Sequence, residues 1–558
     1  MTDQFREKKS KSRTFTLSDI PGFPYDTYTN QLAQYLECER WFTGAALDVD
    51  VTAATGAAIE LYPLKINPIL STVLKHAYIL FGENVNDGRP LVFPKLVPEN
   101  KSDAAIKRAE EAEEALNYVW WENGGRALMF ENGTISQIYG GCVFRATFVP
   151  WEWDAYGGWR KIPIRIERVN PKAFVGRPSA GDMFRLKEGW IISDISIEEA
   201  RKWGYSGDED TPTFAEYWST KEHKTWINDK QVEYPLANPE LEIISNTDDA
   251  FNGTNPFGFV PMVYIPHVRT GGFYGVNAFD HLKGIIREMN LRFGDYGDAV
   301  NDDSHVPIAM RNVNGSPQVR RIADGIKILD LGGSTNITGT EAQPDIFEVH
   351  KTRASTSMQQ LLQEIINQYR RDSFVPAVAE GEDEGSQRSA LTLATRFWPL
   401  TSHAGIERVY FGAGLDVFNS YLLKMMAVKG VMGITPAHTK MRMKQSWAPM
   451  LPRDREAEVQ EWAQRAQSNL GSVEHLLEMT RDVDDVAQER ERILEWMRDI
   501  KKIETDAAIK ISKEAPKPMP FGESSDSVAK DPNNKEPGRP KENPEKTPTE
   551  KVGGGGGK

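Results

Sequence analysis

The sequence predicts an α+β protein, and three observations predict it. Apolar residues recur every three or four positions around Leu32–Leu36, Asn67–Leu80 and Ala104–Trp121, the spacing of one helical face. From Gly140 to about Ile265 the pattern changes to short β-type runs such as Cys142–Val149 and Ile162–Val169, separated by Gly, Pro and Asp turns. Helical spacing then dominates again to about residue 512. Helices first and a sheet second are the order of a mixed α+β domain, here over 21–275, rather than of alternating βαβ units.

Composition removes several function classes. The 558 residues carry 67 Lys and Arg against 80 Asp and Glu, a net charge of −13. A protein that coats nucleic acid is basic, so broad phosphate binding is not expected. The two cysteines, Cys38 and Cys142, form neither a disulfide framework nor a Cys-based metal site. No apolar stretch follows the basic residues Arg6 to Arg13, so no signal peptide is expected. The most apolar later stretch, Val409 to Ile434, is broken by Asp416, Lys424 and Lys429, short of the roughly 18 uncharged residues of a membrane span.

The elements follow in order. Residues 1–20 read as a flexible basic arm. The helix ending at Leu80 stops at Phe81-Gly82, where Gly suits a C-cap. The Ala- and Glu-rich helix 104–121 stops at Gly124-Gly125. After Asn277, a candidate N-cap, Phe279, Leu282, Ile286, Met289, Phe293, Tyr296 and Val300 form one apolar stripe. Met358, Leu361, Leu362, Ile365, Ile366 and Tyr369 form a second, which ends before Phe374-Val-Pro376 because Pro disfavours helix in the residue before it. Between the stripes lie β-type runs at Pro307–Val313, Ile326–Leu331 and Asp345–Val349, with turns at Asn314-Gly315 and Gly332-Gly333. If the two helices pair antiparallel, this β module sits at their tip. Ordinary core packing also explains both stripes.

Residues 376–388 are acidic and Gly-punctuated, with Glu380, Glu382, Asp383 and Glu384 before Arg388. Ser389 opens a long helical pattern to Met426 with Pro399 inside it, so a kink or break is expected near Phe397–Thr401. Met441–Trp447 reads as a return strand. Arg453–Lys502 reads as helix broken at Gly471. The Pro-, Lys- and Glu-rich residues 513–558 read as disordered.

Catalytic and nucleotide motifs are missing. There is no Gly-x-x-x-x-Gly-Lys-[Ser/Thr], no His-Glu-x-x-His and no Gly-x-Ser-x-Gly. The nine histidines fall at no convincing ligand spacing, so no metal, cofactor or catalytic residue is expected. Asp345, Glu348 and Lys351 lack the spacing of a metal-dependent nuclease, and Glu380–Glu384 lacks the alternating ligands of a calcium loop.

Five stretches, in this order and spacing, resemble the portal proteins of tailed bacteriophages. They are Leu80-Phe-Gly-Glu-Asn-Val85, Tyr139-Gly-Gly-Cys-Val-Phe144, Asn277–Val313, Ser386-Gln-Arg-Ser-Ala-Leu391, and the run from Pro452-Arg-Asp-Arg through Gly471-Ser-Val-Glu-His-Leu to Asp482–Glu491. Arg388-Ser389 stands where that family often has Ser-Gly, and residues 203–246 match nothing in it. The resemblance implies a homo-oligomeric ring, typically of twelve copies, at one capsid vertex, without enzymatic activity. It implies double-stranded DNA passing through the channel, a docked terminase, and contacts to major capsid protein, scaffold and head-completion or adaptor proteins.

The resemblance also implies a division of the chain. The wing is 21–275, the stem helices are 276–301 and 351–373, and the clip is 302–350. The acidic tunnel loop is 374–388, the kinked tunnel helix with its return strand 389–451, and the helical crown 452–512. Twelve copies of Glu380, Glu382, Asp383 and Glu384 would line a constriction and keep DNA centred by repulsion, or they are simply solvated loop charges. Lys283, Arg287, Arg292, Arg370 and Arg371 would touch phosphates or pair with Asp280, Glu288, Asp295 and Asp298 of neighbouring copies. The alternatives are another phage ring or adaptor protein and a nucleic-acid-processing enzyme.

Overall fold

The structure, a computed structural model, describes residues 16–47, 65–149, 160–232, 253–304, 356–382, 390–451, 455–470 and 486–514, with single-residue gaps, and the strands between 308 and 348. The chain forms two units, 1–454 and 455–558. The basic arm expected over 1–20 gives way by residue 16. Leu17–Asp19 form a 3₁₀ turn, and Ile20 is buried among Phe23, Trp190 and Trp226.

In the first unit, α1 (Tyr25–Thr43) turns Tyr35, Cys38 and Trp41 inward and stops at Gly44. Next, α2 (Ile69–Phe81) ends at Gly82, at the expected place, followed by the short α3 (Asn84–Asp87) and β1 (Val92–Val97). Ser102 caps α4 (Asp103–Glu122), its hydroxyl accepting from the Ala105 N–H. Gly124-Gly125 ends that helix, as expected, but also starts α5 (Gly125–Tyr139), which periodicity did not reveal. Small and polar residues Gly133, Ser136 and Gln137 occupy its buried side, so the apolar signal is weak.

At Gly140 the chain turns with φ +81° and leads into β2 (Gly141–Phe148). A Cβ at Gly140 would strike the Gly275 carbonyl, so only glycine serves there. Next come β3 (Ile164–Val169), β4 (Phe174–Ser179), β5 (Asp182–Asp194), α6 (Ile197–Lys202), β6 (Thr213–Ser219), β7 (His223–Ile227), β8 (Lys230–Val232) and β9 (Met262–Pro266). They make two antiparallel sheets, ordered β3-β2-β9 and β4-β5-β6-β7-β8. The second sheet closes around a buried charge. Glu216 on β6 accepts from Arg145 at 2.7 Å, His223 at 2.9 Å and the Trp218 indole at 2.8 Å.

Next come α7 (Lys283–Ser304), then β10 (Ile308–Arg311), β11 (Gln318–Arg321), β12 (Lys327–Asp330), β13 (Ser334–Thr335), β14 (Glu341–Ala342) and β15 (Asp345–Glu348), then α8 (Thr356–Asp372). Asn277 does not begin an α-helix directly. Its side-chain oxygen accepts from the Phe279 N–H, and a 3₁₀ turn at Asp280–Leu282 precedes α7.

After α8 come α9 (Ala390–Arg396) and α10 (Trp398–Lys429). The helix is interrupted at Phe397, and Pro399 lies in the first turn of α10, where its missing N–H costs least. Buried residues occur on every side of α10, because it threads the main core of the first unit. Phe411 and Phe418 meet Phe144 on β2, and the Trp120 indole on α4 donates to Asn419 at 2.8 Å. Gly414 permits this approach, since a Cβ there would lie 2.5 Å from Ile265 Cγ1 on β9. The expected return strand is β16 (Arg442–Trp447), and it pairs antiparallel with β1.

The second unit holds α11 (Arg455–Gln467) and α12 (Val486–Glu514). The expected break at Gly471 lies outside the described residues. The tail expected from 513 begins no earlier than the end of α12.

Candidate functional site

The helices α7 and α8 run antiparallel. At their base the His281 ring N–H donates to the Asp372 carbonyl at 2.9 Å, and farther along Gln359 donates to the Tyr296 hydroxyl at 2.9 Å. The base is anchored in a cluster of Trp41, Ile69, Val73, Phe279, Leu282, Ile286 and Tyr369. The Tyr369 hydroxyl also shares a 2.7 Å hydrogen bond with Thr72.

Beyond the base the stripes open. Met289 is buried, Phe293 and Tyr296 are half-buried, and Val300 is exposed; Leu362 is buried while Leu361 is 48% exposed. Core packing within one chain therefore accounts for only the first half of the α7 stripe. Two helices alone cannot surround each other's apolar faces.

At the distal end, β10 pairs antiparallel with β15, Ile308 opposite Glu348 and Arg311 opposite Asp345. β11 pairs with β12 and β13 with β14. The turn residues Asn314, Gly315, Gly332 and Gly333 lie outside the described residues.

The stem cations find partners inside their own chain. Lys283 lies 2.7 Å from Asp280, and both Lys283 and Arg287 lie over the Trp41 ring. Arg292 reaches Glu288 at 2.8 Å and Asp295 at 3.0 Å. Arg371 reaches Glu364 at 2.8 Å. Three of these acids, Asp280, Glu288 and Asp295, were the candidates for pairing between neighbouring copies.

Arg370 turns to the acidic segment. Its guanidinium donates to Glu380 at 2.8 Å and Glu382 at 2.6 Å, and the bond to Glu382 raises its pKa further. Lys75 on α2 reaches Glu380 at 3.3 Å. Two of the four carboxylates are thus matched by two cations of the same chain. Asp383, Glu384 and Arg388 lie outside the described residues.

Behind this segment is a buried group that sequence reasoning missed. His403 and Glu407 stand one turn apart on α10, with His76 on α2 and His267 after β9. His267 Nε2 lies 2.5 Å from Glu407 Oε1, while its Nδ1 donates to the Val276 carbonyl at 3.1 Å. Phe374, held at φ +59°, stacks on His403 with ring centroids 4.9 Å apart. Burial would raise the Glu407 carboxyl, but the surrounding histidines, His267 first, hold it below the usual range. The only sequence signal was the i, i+4 spacing of His403 and Glu407.

Among the described residues no helix is long and apolar enough to cross a membrane. No curated protein matches the chain. A family model described as phage portal protein, SPP1 Gp6-like, matches residues 193–502, more than half of the chain. That span includes the stem, the strands between its helices and the long α10, and also residues 203–246, where the sequence alone showed no resemblance. Together with the antiparallel stem, this match places the chain in the tailed-phage portal protein family.

Proposed function

We propose that this chain assembles into a closed ring of twelve copies at one capsid vertex and forms the channel for genome packaging and ejection. One observation carries the reading: the α7–α8 pair leaves the distal half of its apolar stripes only partly buried, with Phe293 and Tyr296 half-buried and Leu361 48% exposed. A ring covers such faces with the neighbouring copy, through heterologous interfaces that close.

In this reading 21–275 and 389–451 form the wing against major capsid protein and scaffold. Residues 302–350 form the clip, which docks terminase during packaging and head-completion or adaptor proteins afterwards. Residues 452–512 form the crown.

The family is structural rather than catalytic. DNA passes without being gripped, because a basic lining would exchange counterions for phosphates and hold the duplex. Glu380 and Glu382 are largely offset by Arg370 and Lys75 in the same chain. The repulsive charge at the constriction therefore falls mainly on Asp383 and Glu384.

Electron microscopy of the purified chain tests the reading. A ring with an axial hole is the expected result, and a compact monomer at assembly concentrations overturns it.

A further inference from the structure

We propose that His76, His403 and Glu407 form a binding site for a zinc-class divalent cation inside the first unit. Their ligand atoms lie within 4.8 Å of one another, on two helices that meet nowhere in sequence. His403 Nδ1 stands 3.3 Å from Glu407 Oε1. With metal–ligand bonds of about 2.1 Å, a tetrahedral site has edges of about 3.4 Å, so this pair already has ligand spacing. His76 needs to close by at most about 1.4 Å, the difference between 4.8 Å and the tetrahedral edge, within the reach of a side-chain torsion.

The hydrogen bonds leave the right atoms bare. The His76 Nε2–H donates to the Ser373 carbonyl at 2.9 Å, and a carbonyl can only accept. Nδ1 of His76 is therefore a lone pair, and it is buried with no hydrogen-bond partner. An orphaned buried acceptor of this kind needs a reason. His403 Nδ1 likewise makes no hydrogen bond, although it lies beside the Glu407 carboxylate.

The outer contacts are those of a metal centre. Ligating histidines donate their second ring N–H to a backbone carbonyl, as His76 does to Ser373, and ligating carboxylates are held by a further group, as Glu407 is by His267. A metal–carboxylate bond also compensates the buried Glu407 charge more fully than one imidazole does.

The consequence is a staple. The cation joins α2 to α10 and, through Ser373, holds the exit of α8. It fixes the stem against the helix that threads the wing, with water in the fourth position.

The test uses the full chain, stripped with chelator and desalted, then given Zn²⁺ alone. About one zinc per chain is expected to survive a second desalting. His403→Gln should abolish retention, and His267→Gln should weaken it by about 10–100-fold through the supporting contact. Zinc lost entirely from the unmodified chain, or retained equally by His403→Gln, overturns the proposal. Should the variants not fold, Co²⁺ added to the unmodified chain decides the matter. Intense visible bands of tetrahedral cobalt support the site, and the pale spectrum of hydrated cobalt overturns it.

Discussion

Arg370 holds Glu382 at 2.6 Å, across the turn that ends the second stem helix. The ion pair folds the start of the acidic segment back on α8 instead of leaving it free. Arg370 is mostly buried while Glu382 is 58% exposed, so the pair contributes less than about 1 kcal/mol to stability. Its effect is on charge. Arg370→Gln is expected to leave assembly intact and to release negative charge toward DNA. Retention of packaged DNA should change at low salt and return toward normal as salt rises, since screening acts over about 10 Å at 0.1 M. Replacing Glu380, Glu382, Asp383 and Glu384 together by Gln should change retention in the opposite sense. Identical retention in all three rings at low salt would refute the electrostatic role.

Pro399 sits in the first turn of α10, just after the interruption at Phe397. A proline there disrupts little, so Pro399→Ala should change stability by less than about 1 kcal/mol. It should join α9 to α10 as one helix and impair packaging. Thermal melting and a packaging assay separate the two effects, and unchanged packaging with a continuous helix would refute a role for the bend.

Residues 314–317 lie in sequence between β10 and β11, and the sequence pattern Asn-Gly-Ser-Pro marks them as a turn. Deleting Asn314–Pro317 should leave rings visible by microscopy while packaging falls. Normal packaging by such rings would remove this turn from terminase docking.

Gly414 of α10 faces Ile265 of β9 with no room for a methyl group. Gly414→Ala should cost about 1–3 kcal/mol in denaturant unfolding, the usual penalty for overpacking a core. Adding Ile265→Val should recover part of that loss, because it removes Cδ1, which would lie 2.6 Å from the added methyl group, and leaves a shorter side chain to shift aside. A double mutant no more stable than the single one would show that the clash is not the cause.

Glu216 titrates far from its ordinary range. Burial alone would raise its pKa, but Arg145, His223 and Trp218 together bring it down from 4.5 to about 2. A depressed carboxyl contributes stability that is fully present above its unfolded pKa and is lost as pH falls through the folded one. The first unit should therefore lose on the order of 3 kcal/mol between about pH 4.5 and pH 2 through this group. Glu216→Gln should flatten that part of the stability profile while lowering stability at neutral pH. An unchanged slope would show that Glu216 is not the titrating group.

The sequence by itself determined the local elements. Three- and four-residue spacing marks α1, α2, α4, α7 and α8, because a helix shows its buried face every turn. Gly82 and the Phe397–Pro399 region were legible as a stop and a break, since each acts on the backbone beside it. The order of helix, β module and helix, with the motifs on either side, was enough to suggest the portal family.

Only the tertiary structure decided the partnerships. Nothing in 92–97 or 442–447 tells one strand to choose the other. The fold places Lys283 beside Asp280, and Arg292 beside Glu288 and Asp295, pairs that spacing in the sequence alone did not single out. Burial on α5 was hidden because its inner side is small and polar rather than apolar. The group of His76, His267, His403 and Glu407 comes from three distant segments. Its chemistry exists only once α10 is threaded through the wing, because hydrogen bonding and desolvation depend on distance in space rather than in sequence.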